Sequence, residues 1–205
     1  MSQPEGVNKR TMSELRKIAS VPVFSHKQWG AHYEGVYLTR REIRPAHQPA
    51  DTVVQHITVT LDHGPLRGDF IDDMQTIERI GWERFKTGIS YNWVVDMTTG
   101  QIGQGAYLDA QGAHTLNDKG LHGFSYNQNR MARAIAVMGM PETKLSKLAE
   151  ESIVDILVAM QRSGAITEKP DYMPHSAFAA KDCPCDATRD RMPAIYRKFQ
   201  RRIHR

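Results

Sequence analysis

The stretch PHSAFAAKDCPCD, Pro174 to Asp186, gathers several groups that could do chemistry. His175 and Cys183 lie eight positions apart, with Lys181 between them. Pro174 and Pro184 bracket the stretch and argue for a loop rather than a helix or strand. A loop can fold both side chains onto one ion. Imidazole and thiolate are ligands that zinc favours, and a catalytic zinc takes three protein ligands and leaves one position open. The third ligand must come from elsewhere, and His56, in the middle of the apolar run TVVQHITVT, is the best candidate. Each residue also has a plainer reading. A histidine in a strand commonly packs in a core or faces solvent. Structural zinc sites normally show two paired ligand motifs, and only one Cys pair is present here. Tyr91 and Trp93 read by default as core aromatics, and Lys181 as a solvated loop lysine.

The two cysteines, Cys183 and Cys185, are separated by one proline. That is too close for an ordinary disulfide. A disulfide scaffold is therefore excluded, and the pair fits a reducing compartment, a metal site, or one ligand beside one bystander.

The elements that must position these groups follow from the hydrophobic pattern. Thr52–Thr60 is rich in β-branched residues on both alternating sets and predicts a strand buried on both faces. Further strands are expected over Tyr91–Asp96, Ile102–Tyr107 and Ala132–Met140, with Thr99-Gly100 as a turn. A helix is expected from Asp72 to Phe85, ended by Gly88. The clearest helix spans Leu145–Arg162, with Leu145, Leu148, Ala149, Ile153, Ile156, Leu157 and Met160 on one stripe. A last helix, Thr188–Arg202, turns Met192, Ile195, Tyr196, Phe199 and Ile203 inward and a row of arginines and lysine outward. Thr39–Ala50, with Pro45 and Pro49, reads as irregular. The first 20 residues read as a flexible arm or a short helix over Ser13–Ala19, ended by Pro22. Alternating strands and helices define an α/β fold: one domain, a central mixed sheet of parallel and antiparallel strands, helices covering it. The domain runs over residues 22–205, behind an N-terminal arm of residues 1–21.

A chain of 205 residues is long enough for a self-sufficient core. Its 40% hydrophobic and 24% charged residues exclude a wholly disordered, collagen-like or membrane protein. No apolar run reaches the length of a membrane span, and the start shows no Sec-type signal pattern. The net charge of +4, with a sequence pI of about 9.1, fits an anionic partner such as nucleic acid or cell wall and selects neither.

Six segments, taken in order, resemble the zinc-dependent N-acetylmuramoyl-L-alanine amidases and the related peptidoglycan recognition proteins. SHKQWGA (Ser25–Ala31) is similar to the family's S-R-x-x-W-G-A, with Lys27 near the place of the arginine. VVQHITVT resembles the strand that supplies the first zinc ligand. GISYNWVVDMTTGQIGQG resembles the G-x-x-Y-H-F stretch and its glycine turn. QGAHTLN resembles the G-A-H segment, ARAIAVMG the I-G-I-x-L-x-G strand, and HSAFAAKDCPC the closing H-x-D-W-x-x-T/K-x-C-P-G. The match spans about Phe24 to Phe199.

The resemblance implies one zinc per chain on His56, His175 and Cys183. It implies catalytic roles for Tyr91, at the family's tyrosine, and for Lys181, two places before the ligand cysteine as in small phage amidases. His114, in the G-A-H segment, is a candidate contact for glycan or stem peptide. There are departures. Cys185 replaces the glycine after C-P, the H-x-D-W acid is lost at Ala177, and Ala136 stands where some relatives place a glutamate base. Together these imply a monomeric phage endolysin that cuts the bond between N-acetylmuramic acid and L-alanine in peptidoglycan. Such an enzyme would wait in the host cytoplasm until released to the wall. The alternatives are a recognition module without catalysis and, less favoured, a basic nucleic-acid-binding protein with a structural zinc closed by Cys185.

Overall fold

The computed structural model describes residues 6–43, 45–58, 69–115, 128–179 and 182–204. Six strands form one sheet: β1 (Val23–Phe24), β2 (Ala50–Thr58), β3 (Trp93–Asp96), β4 (Ile102–Gln104), β5 (Ala132–Met138) and β6 (Ile166–Pro174), in the order β1-β4-β3-β5-β2-β6. The β3–β4 pair is antiparallel, joined by a turn in which the Asp96 carboxylate accepts from the amides of Thr98 and Thr99 and Gly100 takes φ 74°. The other pairings are parallel, so the sheet is mixed, as expected.

Strand alternation sorts side chains between two faces. Val53, Trp93, Val95, Ile135 and Val137 face a core shared with helix α1 (Val7–Ile18), helix α6 (Lys147–Arg162) and helix α8 (Met192–Ile203). Val94 and Met138 face the opposite side. There the short helix α2 (His26–Trp29), α3 (Glu34–Ile43) and α4 (Phe70–Phe85) supply Trp29, Tyr37, Met74 and Ile77. A short helix α5 (Gln128–Met131) leads into β5, and α7 (Asp186–Arg189) precedes α8. Helices thus cover both faces, and every element position matters to the site because His56 sits inside this sandwich.

Several boundaries differ from the sequence expectations. Residues 7–18 form a helix that begins well before Ser13, and its Val7, Met12 and Leu15 enter the main core. Part of the irregular stretch is helical: α3 runs to Ile43 and anchors itself through the buried Tyr37. β6 was not expected, because its sequence ITEKPDYMP is polar and carries two prolines. It is an edge strand with a register shift against β2, where missing N–H donors and polar side chains are tolerated. The last helix divides into α7 and α8. Leu148 lies on the outside of α6, 49% exposed, rather than in its apolar stripe. The basic face of α8 is also not simply outward. Arg191 and Lys198 pair with Glu150, Lys198 and Arg202 with Glu151, and Arg202 with Asp155, all on α6. Those cations tie α8 to α6. Among the described residues no helix is long and apolar enough to cross a membrane.

Candidate metal centre

His56 is the seventh residue of β2 and points to the α4 side, the same face as Val54. Parallel register pairs it with Ala136 on β5 and pairs its neighbour Gln55 with Pro174, the last residue of β6. His175 follows Pro174 at once, as the first residue of a 3-10 turn (His175–Ala177). The sheet therefore sets the two imidazoles side by side, one strand spacing apart, with ring centroids 4.3 Å from each other. Phe178 closes this turn by packing on Val54 and Ala132, so the aromatic of the closing motif serves as the loop's anchor. The loop then returns: the Ser176 amide donates to the Cys183 carbonyl at 2.7 Å, and the Ile57 amide of β2 donates to the Cys183 sulfur at 3.4 Å. Arg189 holds the far side of the loop through Asp182 and the Pro184 carbonyl.

The result is a three-residue cluster. Ligand atoms of His56, His175 and Cys183 all lie within 4.8 Å of one another. Tetrahedral zinc with normal bond lengths would need such atoms roughly 3.3–3.8 Å apart, a small contraction. Burial, with His114 and His175 adding to it, holds the His56 pKa well below the usual histidine value. The ring is thus neutral, the form that ligates. The donor set, its spacing and the neutral His56 ring fit a zinc ion. Cys185 is separate. Its buried sulfur lies 3.6 Å from the Thr188 hydroxyl and takes no part in the cluster, which among the described residues has three members.

Tyr91, just before β3, stacks at a tilt on His56 with ring centroids 4.9 Å apart. Desolvation, and then the nearby Cys183 sulfur, push its phenol pKa up, so it remains a proton donor at neutral pH. His114 is 5% exposed and lies against His56 as well, with Nδ1 3.3 Å from His56 Nε2. Burial, followed by His175 and Arg133, lowers its pKa to about 3. Lys181 falls outside the described residues. Ala136, paired with His56 across β2 and β5, presents a methyl rather than a carboxylate beside it.

Tyr91, His114 and His175 line one wall of a cleft of about 500 Å³ bordered by Phe85, Arg40 and Gln111. No Asp or Glu is among the described residues lining it. Sequence reasoning missed Asn129. Its Oδ1 accepts from the amides of His114 and Thr115 at 2.7 and 2.8 Å, and its Nδ2 donates to the Thr115 carbonyl at 2.7 Å. No sequence signal marks it, because it sits 15 residues beyond His114 in an unpatterned region. The glycine of the G-A-H segment does have a legible reason. A Cβ on Gly112 would stand 2.5 Å from His114 Cδ2. The SHKQWGA segment, by contrast, is structural. Trp29 donates its indole N–H to the Gln104 carbonyl at 2.8 Å, and His26 Nε2 meets the Gly105 carbonyl at 2.6 Å, pinning α2 to the end of β4.

This architecture is shared by peptidoglycan recognition proteins and by an N-acetylmuramoyl-L-alanine amidase. The Drosophila recognition protein PGRP-LB superposes with a TM-score of 0.65 at 17% identity, over 84% of this chain and 93% of that one. Drosophila PGRP-SA gives 0.64 at 21% identity, over 80% and 86%. The endolysin amidase LysCS of Clostridium intestinale gives 0.53 at 22% identity, over 71% and 82%. No protein-family model and no curated protein matches the sequence. Similarity at these identities establishes the fold, a peptidoglycan recognition/amidase-type α/β domain.

Proposed function

We propose that this chain is a zinc-dependent N-acetylmuramoyl-L-alanine amidase of the phage endolysin kind, hydrolysing the amide between muramic acid and L-alanine in peptidoglycan. The observation that carries the reading is the cluster of His56, His175 and Cys183, of which His175 lines an open cleft beside Tyr91 and His114. His56, His175 and Cys183 would hold the zinc, which when bound would supply Lewis-acid chemistry for amide hydrolysis near pH 7. The chain's own residues do the rest. With zinc bound, one thiolate and two neutral imidazoles would still leave the centre a net positive charge. Tyr91, protonated by its environment, donates a hydrogen bond to the oxygen that becomes anionic. Lys181, two residues before Cys183, is assigned the second donor. Ala136 stands beside His56, and the described residues that line the cleft include no Asp or Glu. His114 and Phe85 line the cleft where glycan or stem peptide would lie. The enzyme would be stored in the host cytoplasm and act at the wall as a monomer.

A recognition role without catalysis is the second reading, favoured by the fold match to PGRP-SA and PGRP-LB. The deciding experiment is clearing of purified cell walls with and without zinc. The expected products are new L-alanine amino termini and no new reducing sugar ends. Binding to walls without any cleavage would establish the recognition module instead, and reducing ends would mean a glycosidase, which works through paired carboxylates.

A further inference from the structure

His56 is flanked on both ring nitrogens. Nδ1 lies 3.9 Å from the Cys183 sulfur, and Nε2 lies 3.3 Å from His114 Nδ1. A nitrogen that binds a cation must offer a lone pair, and a neutral imidazole then carries its proton on the other nitrogen. For His56 to offer Nδ1 on the Cys183 side, Nε2 must hold the proton and donate it to His114. The reverse bond, from His114 to His56 Nε2, would leave an N–H of His56 aimed at the sulfur and no lone pair there.

We propose that His114 is a positioning residue: the hydrogen-bond acceptor that fixes His56 as its Nε2–H tautomer and thereby sets the metal affinity of the three-ligand cluster. The proposal rests on the zinc reading above. His114 is not itself a member of the cluster, so it acts through His56. Its own placement is well determined. Asn129 grips the backbone on both sides of it, and Gly112 leaves room for its ring. Arg40 donates to the Gly112 carbonyl at 3.0 Å and so steadies the same turn. Such a chain of supports is what orienting a ligand requires, since a ligand's outer partner fixes both tautomer and ring angle.

The test uses the full-length chain labelled with 15N-histidine. Long-range proton–nitrogen spectra of the zinc-free protein should show His56 Nδ1 unprotonated and Nε2 protonated. His114→Ala should lose that preference and weaken zinc binding, measured by chelator competition, by about 10–100-fold. His114→Asn places an acceptor oxygen near the position of Nδ1 and should recover most of the affinity. This recovery separates positioning from bulk packing, because both variants remove the ring. A His56 protonated on Nδ1 in the wild-type chain overturns the proposal. So does a folded His114→Ala that binds zinc as tightly as wild type, or an Asn variant no better than Ala. A wild-type chain that binds no zinc would instead remove the metal reading, and the tautomer spectrum would still decide whether His114 is the acceptor.

Discussion

Replacing Tyr91 by Phe isolates one hydroxyl. The ring keeps its tilted contact with His56, 4.9 Å between centroids. Tyr91 lines the cleft, and its hydroxyl has no hydrogen bond to another of the described residues to lose. Folding stability should therefore change by no more than about 0.5 kcal/mol, and zinc content should be unaltered. Turnover should fall far more. A donor aimed at a developing oxyanion is worth about 2.7–4 kcal/mol, which is roughly 10²–10³ in rate. The pH dependence adds a second check. Because desolvation and the Cys183 sulfur raise the phenol pKa, the donor stays protonated throughout the neutral and mildly alkaline range. The ratio of wild-type to variant rates should then stay flat with pH there, rather than collapse as it would for a phenol ionising near its ordinary value. The assay is turbidity clearing of purified walls, run beside zinc analysis and thermal melting. Unchanged turnover would refute the donor role, and loss of zinc would mean that Tyr91 supports the site structurally.

Cys183→Ser and His175→Ala should each lose zinc by metal analysis, whereas Cys185→Ala, whose sulfur stands beside Thr188, should keep both zinc and activity. Gly112→Ala forces a methyl against the His114 ring 2.5 Å away. An overpacking cost of about 1–3 kcal/mol is expected in denaturant titration, with reduced activity. Arg202→Ala should cost about 1–3 kcal/mol at pH 7, because it leaves the Asp155 carboxylate, 4% exposed, without its cation. Burial already raises the Asp155 pKa, so protonation relieves the unpaired charge as the pH falls, and the difference from wild type should shrink toward acid in pH-dependent melts.

The sequence by itself determined the elements whose pattern is strong. The buried strand around His56, the strand Ala132–Met138 and helix α6 follow from β-branched density and from a helical stripe, which are local properties. The ligand types and the His175–Cys183 spacing were also legible, since the loop that joins them is short. Tertiary structure decided what local pattern cannot encode. Among the described residues β6 pairs with β2 alone, and its prolines and charges are acceptable at that edge of the sheet. Helix α3 forms where Tyr37 finds a buried seat against Ile89 and Glu78. Most of all, the meeting of His56 with His175, 119 residues later by the numbering, follows from the parallel pairing of Gln55 with Pro174. The approach of His114 to the other edge of the same ring depends on a turn held by Asn129. Such contacts join residues with no periodic relation along the chain, so only closure of the sheet and its loops brings them within reach.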